Sequence, residues 1–218
     1  MTRKALLAFL TVAPACIFFW WAFQGCRFPS LSAVGADAGV PDWGRPLWNA
    51  ALFCLFGFLH SAFAQVEMPR LPYVLFAGAS SFAVMFLWQP LAENLWELSS
   101  PQFAWWFSAI QFCLWLAGHA WAAHQIGMGP FFGWSSGSLG LVTSGPYRYL
   151  RHPMHFSILL NLLITPVMTA DRLTLLLAVT FYLAVAIPIE EQRLEEEFGQ
   201  RWEEYRRRVP ALFPRMWV

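Results

Sequence analysis

The chain has little charge. Only 12% of its 218 residues are Asp, Glu, Lys or Arg, about half of what a soluble domain carries. Apolar side chains make up 58%, so a water-exposed globular surface is excluded and a polytopic membrane protein is expected. No excess of one sign exists either. The net charge is +1 and no basic face stands out, which argues against nucleic acid as a partner. Cysteine is scarce and scattered. Cys16, Cys26, Cys54 and Cys113 form no Cys-x-x-Cys pair and no Cys/His cluster, and Cys in an apolar run behaves as a small hydrophobe. Neither a disulfide framework nor a metal site is expected. A Gly-x-Gly-x-x-Gly turn is missing too, which excludes a soluble Rossmann domain.

What is present is a series of apolar runs at about residues 6–23, 47–64, 71–88, 103–123, 154–168 and 173–189. They predict an all-α fold of about six transmembrane helices in a single membrane domain, 1–218. The last two are short for spans, and Thr169-Ala170-Asp171-Arg172 is expected to turn between them as a helical hairpin. The first run follows Arg3 and Lys4 and continues through Trp20-Trp21, which suits a retained span better than a cleaved signal. Residues 24–45 and the Gly-, Ser- and aromatic-rich residues 125–140 are not spans. The latter read as a surface loop or a re-entrant segment. With six crossings and a cytoplasmic N-terminus, one side receives Arg3, Lys4, Arg70, Arg148, Arg151 and every basic residue from Arg193 onward. The other receives only Arg27, Arg45 and Arg172. That asymmetry fits the positive-inside rule, with both termini cytoplasmic. The thirteen Trp lie mostly at span ends, as interfacial belts require. Trp115 and Trp121 are candidates for lining a cavity that binds a cation.

After Pro188 the pattern changes. Leu194, Phe198, Trp202, Tyr205 and Val209 recur at helical spacing and predict a C-terminal amphipathic helix. Glu197–Arg201, Glu203–Arg207 and Glu204–Arg208 are i,i+4 pairs in the favourable order. Glu190 precedes Leu194 by four residues and so shares its apolar face, with Glu191 beside it. A carboxylate aimed inward near a membrane boundary needs a cation or hydrogen-bond donors. A salt bridge to Arg148 or Arg151 and a ligand role are both open. His152, just before Pro153, falls at the start of the fifth apolar run, where a helix N-terminus favours an anion.

Leu141-Val142-x-x-Gly145-x-Tyr147, Arg151-His152-Pro153-Met154, Glu190-Glu191-x-x-Leu194-x-x-x-Phe198-Gly199, then Tyr205 and Leu212-Phe213-Pro214 resemble the isoprenylcysteine carboxyl methyltransferase superfamily. Phe58-Leu59-His60-Ser61, Trp88-Gln89-Pro90, Thr165-Pro166-Val167-Met168-Thr169 and Arg208-Val209-Pro210-Ala211-Leu212 resemble its methanethiol S-methyltransferase branch, to which nurim and NnrU-type proteins are related. The chain departs from the superfamily at His155, where Tyr is common, and in its Gly-rich residues 125–140.

The resemblance implies a membrane methyltransferase using S-adenosyl-L-methionine, placed in the bacterial inner membrane and methylating a small thiol such as methanethiol. A lipophilic carboxylate or other lipid-like acceptor is the alternative, and a non-catalytic nurim-like protein a further one. The complete set Tyr147, His152, Glu190 and Glu191 speaks against the last. Cofactor-binding residues are expected in 125–218: Leu141, Val142, Gly145, Tyr147, Arg151, His152, Pro153, Glu190, Glu191 and Leu194. Glu190 or Glu191 would take the ribose hydroxyls or the ammonium, and Arg148 or Arg151 the carboxylate. The helices of 1–124 would form the substrate side, with His60, His119 and His124 as pocket candidates. A thiol must become a thiolate to attack, and His60, Arg206 and Arg207 are the catalytic candidates for favouring it.

Overall fold

The helices pack on one apolar core, and the two ends of the bundle they form are chemically different. The computed structural model describes residues 3–26, 42–65, 69–91, 93–98, 100–127 and 140–213. In chain order these form α1 (Arg3–Phe23), α2 (Arg45–Gln65), α3 (Arg70–Leu87), β1 (Asn94–Glu97), α4 (Pro101–Ile126), α5 (Pro153–Leu163), β2 (Val167–Thr169), α6 (Ala170–Phe198) and α7 (Gln200–Arg208). Short 3-10 turns lie at Asp42–Gly44 and Gly145–Arg148. Residues 128–139, the bulk of the expected loop or re-entrant segment, lie outside the described residues, as do 27–41.

Two helices, Arg45–Phe63 and Ala170–Phe198, are long and apolar enough to cross a membrane. The apolar stretches Val12–Phe23, Leu71–Leu87 and Pro153–Leu163 are shorter. The outer surface carries exposed Leu55, Phe103, Trp106, Ile110, Leu114, Leu177 and Phe181, a belt that water would penalise and lipid would not. Inside, Phe18, Trp21, Phe23, Phe53, Val84, Met85, Trp88, Trp115, Leu162, Leu175 and Leu183 form one buried core.

At one end the backbone is closed by polar side chains. Asn49 donates to the Gln89 carbonyl at 2.7 Å and accepts from the Gln89 N–H at 2.8 Å, which ties the start of α2 to the end of α3. Asp171 accepts from the Trp88 indole at 2.7 Å and the Leu91 N–H at 3.0 Å. Arg172 donates to the carbonyls of Phe23 and Asn161 and to the Thr165 hydroxyl. It thereby satisfies carbonyls near the C-termini of α1 and α5, where a cation is also favoured by the helix dipoles.

This corrects the expected turn at Thr169-Ala170-Asp171-Arg172. Thr169 is the N-cap of α6, its hydroxyl accepting from the Arg172 N–H, and Asp171 and Arg172 are fully buried rather than solvated. The fifth apolar run also stops early. Its helix ends at Leu163, because Pro166 cannot continue it and biases Thr165 away from helical geometry. Residues 167–169 pair antiparallel with β1, Trp96 opposite Met168 and Glu97 opposite Val167. The helical fold therefore carries a small β-ribbon that the sequence reading did not anticipate.

The C-terminal amphipathic helix is two helices. Gly199, at φ +53°, ends α6 and starts α7, a backbone geometry that glycine adopts without a Cβ penalty. The break falls between Glu197 and Arg201, so their i,i+4 spacing no longer applies. Glu203–Arg207 and Glu204–Arg208 do pair, at 3.1 and 3.5 Å. Even with the bend, the stripe comes together: Trp202, Tyr205 and Val209 are buried against Leu141, Leu194 and Phe198.

Candidate active site

The opposite end of the bundle is where the charged motifs meet. Pro146 opens a 3-10 turn after Gly145, and Pro153 opens α5 with His152 as its N-cap. Proline at both positions presets φ for the turn that follows. Gly145 sits at φ +60°, and a Cβ there would stand 2.7 Å from Gln125 Cγ, so only glycine lets the loop lie against the end of α4. The Ser144 hydroxyl donates to the Gln125 side-chain oxygen at 2.8 Å.

The C-terminal tail then straps this loop down. The Arg151 N–H donates to the Pro210 carbonyl at 2.9 Å and the His152 N–H to the Ala211 carbonyl at 3.0 Å. The Tyr205 hydroxyl donates to the Tyr147 carbonyl at 2.6 Å. Burial, together with Glu190 and Tyr205, pushes the Tyr147 phenol well above its ordinary range. Burial likewise raises Tyr205 to about 12, Arg151 opposing and Glu191 adding to the rise. Both phenols stay protonated at neutral pH.

At the end of α6, Glu191 Oε1 is the hub. It accepts from Arg151 Nε at 2.8 Å and from His152 Nε2 at 3.1 Å, and Arg151 Nη2 lies 2.7 Å away. Arg151 Nη1 donates to the carbonyls of Arg206 and Val209, and its guanidinium lies over the Trp202 ring at 5.7 Å. Every nitrogen of that guanidinium has a protein partner. The salt bridge weighed for Glu190 is thus made by Glu191. Glu190 Oε2 instead lies 3.6 Å from His152 Nδ1. A carboxylate accepts only, so the hydrogen on His152 Nε2 belongs to its bond with Glu191.

His152, His155 and Glu190 converge, each with a ligand-type atom within 4.8 Å of the others. The two imidazoles stack at 5.6 Å with 26° between planes. The His155 Nδ1 atom is enclosed and has no hydrogen-bond partner among the described residues. His155 also interacts electrostatically with His60 and His119, so four of the chain's five histidines gather at this level. His60 meets the Tyr73 hydroxyl at 2.7 Å, and the Ser61 and Tyr182 hydroxyls lie 2.8 Å apart. His119 binds the Trp115 carbonyl at 3.0 Å, while His124 is exposed.

Beside the hub, Leu141, Thr143, Arg148, Arg201, Glu204, Tyr205, Arg208 and Val209 line an open cleft of about 360 Å³. Leu141 and Val142 are half-buried along the same strand of loop, Pro153 is half-buried at the start of α5, and Leu194 is half-buried one turn after Glu190. The remaining candidates lie elsewhere. Arg206 pairs with Glu195 and Arg207 with Glu203, both on the outer face. Trp115 is packed in the aromatic core against Phe19 and Phe112, and Trp121 faces outward. Sequence reading passed over Tyr73 and Tyr182. The signal for Tyr182 was a hydroxyl in an apolar helix two turns before Glu190.

The family described as phospholipid methyltransferase matches residues 104–201, which include the His152 and Glu190–Glu191 motifs. The chain is 33% identical to methanethiol S-methyltransferase 2 of Bradyrhizobium diazoefficiens over 206 residues, 84% of this chain and 79% of that protein. It is 27% identical to methanethiol S-methyltransferase 1 of the same organism over 231 residues, 96% of this chain and 79% of that one. A shorter match, 35% over 77 residues, 34% of this chain and 39% of the relative, is to protein-S-isoprenylcysteine O-methyltransferase B of Arabidopsis thaliana. No solved structure matches. The long match to the first relative and the family match across the hub residues lead to one conclusion: the chain belongs to the methanethiol S-methyltransferase branch of the isoprenylcysteine carboxyl methyltransferase superfamily, a family of membrane methyltransferases.

Proposed function

We propose that this protein transfers the methyl group of S-adenosylmethionine to a small thiol of the methanethiol type. In this reading it makes six crossings of a bacterial inner membrane with both termini cytoplasmic, residues 125–218 holding the cofactor and the helices of 1–124 flanking the acceptor. The observation that carries the reading is the hub at Glu191. Arg151 and His152 are fixed there by a charged network and by the tail at Pro210 and Ala211, at the mouth of a polar cleft.

The residues present fit the cofactor's groups. Arg151 has its donors committed to protein, so we assign the cofactor carboxylate to Arg148, with Arg201 and Arg208 across the cleft. Glu204 on the same rim suits the ammonium. Leu141, Val142, Tyr147 and Leu194 offer apolar surface to the adenine, Gly145 allows close backbone approach, and Pro153 fixes the turn that carries His152. Glu190 keeps a half-exposed carboxylate beside the hub, while that of Glu191 is matched by Arg151. S-adenosylmethionine supplies an electrophilic methyl group, and the chain's part is to align, desolvate and exclude water, alignment alone being worth about 7–11 kcal/mol. His60, hydrogen-bonded to Tyr73, stands on the acceptor side. Arg206 and Arg207, paired on the outer face, steer no proton in this arrangement.

The test is dimethyl sulfide in the headspace over protein supplied with S-adenosylmethionine and methanethiol, run beside His152→Ala and Glu190→Ala. Product in the parent and none in the two variants, each still folded, is the expected result. Saturable S-adenosylhomocysteine binding without product keeps methyl transfer and changes the acceptor. Neither binding nor product overturns the reading.

A further inference from the structure

We propose that His152, His155 and Glu190 hold a divalent transition-metal ion of the zinc type, and that this ion binds the acceptor sulfur. The site stands on its own geometry; the ion's role rests on the thiol methyltransferase reading above.

Three observations carry it. First, the spacing suits ligands. His152 Nε2 is bonded to Glu191, which leaves Nδ1 facing Glu190 Oε2 at 3.6 Å. Two ligands at ~2.1 Å on a tetrahedral ion lie ~3.4 Å apart. Second, His155 brings a further imidazole nitrogen within 4.8 Å of both, and its enclosed Nδ1 has no hydrogen-bond partner among the described residues. A buried polar atom without a partner calls for one. Third, the surroundings are those of a metal-ligating histidine. Its remote nitrogen is held by a carboxylate, which is itself fixed by Arg151, the arrangement that orients an imidazole and raises its basicity toward a cation.

The residue types agree with the class of ion. Two imidazoles and one carboxylate select zinc and its first-row neighbours over calcium or magnesium. Three protein ligands also leave a fourth position open, as a catalytic ion requires. Cysteine, the usual sequence sign of zinc, is absent from the cluster. His152 and His155 are instead one helical turn apart at the start of α5, and Glu190 comes from the end of α6. The half-exposed Glu190 side chain, at 41%, gives the ion access from solvent.

The chemistry follows. A thiol whose sulfur enters the fourth position loses its proton to bulk water, because the cation stabilises the thiolate. The thiolate sulfur then forms a bond to the methyl carbon of a sulfonium donor as the carbon–sulfur bond of that donor breaks. The bonding pair leaves with the donor, now a neutral thioether, and the methylated product, itself a neutral thioether, binds the ion weakly and departs. No separate protein base is needed. That agrees with a site in which His60 is hydrogen-bonded to Tyr73 and Arg206 and Arg207 are paired elsewhere.

The test uses the full chain purified in detergent, stripped with a chelator and reloaded with Zn²⁺ or Co²⁺. About one ion per chain is expected. The cobalt form should show the visible bands of a four-coordinate ion and gain a near-ultraviolet thiolate-to-metal band when methanethiol is added. His155→Ala and Glu190→Gln should weaken metal affinity about 10–100-fold or more, while His124→Ala, at an exposed position, should not. Failure of the parent protein to retain either ion, or a cobalt spectrum indifferent to both His155→Ala and Glu190→Gln, overturns the site. The cobalt spectrum of the parent does not depend on any variant folding. S-adenosylhomocysteine binding, measured on the same stripped and reloaded samples, separates the two readings. Cofactor binding without metal overturns the metal site alone. Metal without cofactor binding supports the site and removes the methyl-transfer role.

Discussion

Tyr205 donates its hydroxyl to the backbone carbonyl of Tyr147 across 2.6 Å, joining residues 58 apart in the chain. That one bond fastens α7 to the loop that delivers Arg151 and His152. Because the phenol is the donor, it works only while protonated. In the folded protein Tyr205 is raised to about 12, chiefly by burial, against about 10 in an unfolded chain. The sign follows: the stabilisation is complete below pH ~10 and is lost as pH rises towards ~12. Tyrosine ultraviolet absorbance should therefore show a late-titrating phenol, with α7 detaching in the same interval. Tyr205→Phe should remove that coupled step and cost about 0.5–1.5 kcal/mol at neutral pH.

Glu191→Gln should reduce activity by about 10–100-fold with a smaller change in cofactor affinity. The amide can still accept one hydrogen bond, yet it leaves the Arg151 guanidinium without its counter-charge and lets the His152 ring turn. A split in which KM for the donor barely moves while kcat falls is the expected signature. An equal loss in both would show that Glu191 binds the cofactor directly.

Gly145→Ala should weaken S-adenosylhomocysteine binding. The new Cβ meets Gln125 Cγ at 2.7 Å, and the residue must also hold φ +60°, which costs about 1–2 kcal/mol for a side-chain-bearing residue. Adding Gln125→Ala should relieve the collision but not the backbone strain, so binding should return only in part. Full recovery in isothermal titration would place the whole effect in the contact.

Asp171→Asn tests the far end of the bundle. Asp171 accepts from the Trp88 indole and from the Leu91 N–H with no exposure to solvent. An amide offers one acceptor oxygen and turns an N–H group toward one of the two donors. A loss of about 1.5–3 kcal/mol is expected, read as a lower melting temperature in detergent. Because the site lies at the other end, binding of S-adenosylhomocysteine to the folded fraction should be unchanged.

The helical runs were legible in the sequence because apolar periodicity and length are local properties. The observed helices α1, α2, α3 and α4 begin and end within a few residues of where those runs do. The stripe Leu194, Phe198, Trp202, Tyr205 and Val209 was legible for the same reason, and these side chains do share one apolar cluster. The bend at Gly199 was not, since a helical stripe survives a bend that keeps its residues on one side. The β-ribbon was also hidden. Strands of four and three residues give almost no periodic signal, and their pairing depends on two loops meeting.

The sequence by itself determined the membrane character of the chain, its family motifs and the short list of ionisable residues that an apolar chain must explain. It left open which of those residues answer one another. Only the tertiary structure decided that Glu191 takes Arg151 and that Glu190 faces His152 and His155. It also buried Asp171 and Arg172, which as a sequence look like a solvated turn. The physical reason is the same in each case: a charge in a low-dielectric interior is set by its partner, and the partner here lies some 40 or more residues away along the chain in the Arg151–Glu191 and Asp171–Trp88 contacts.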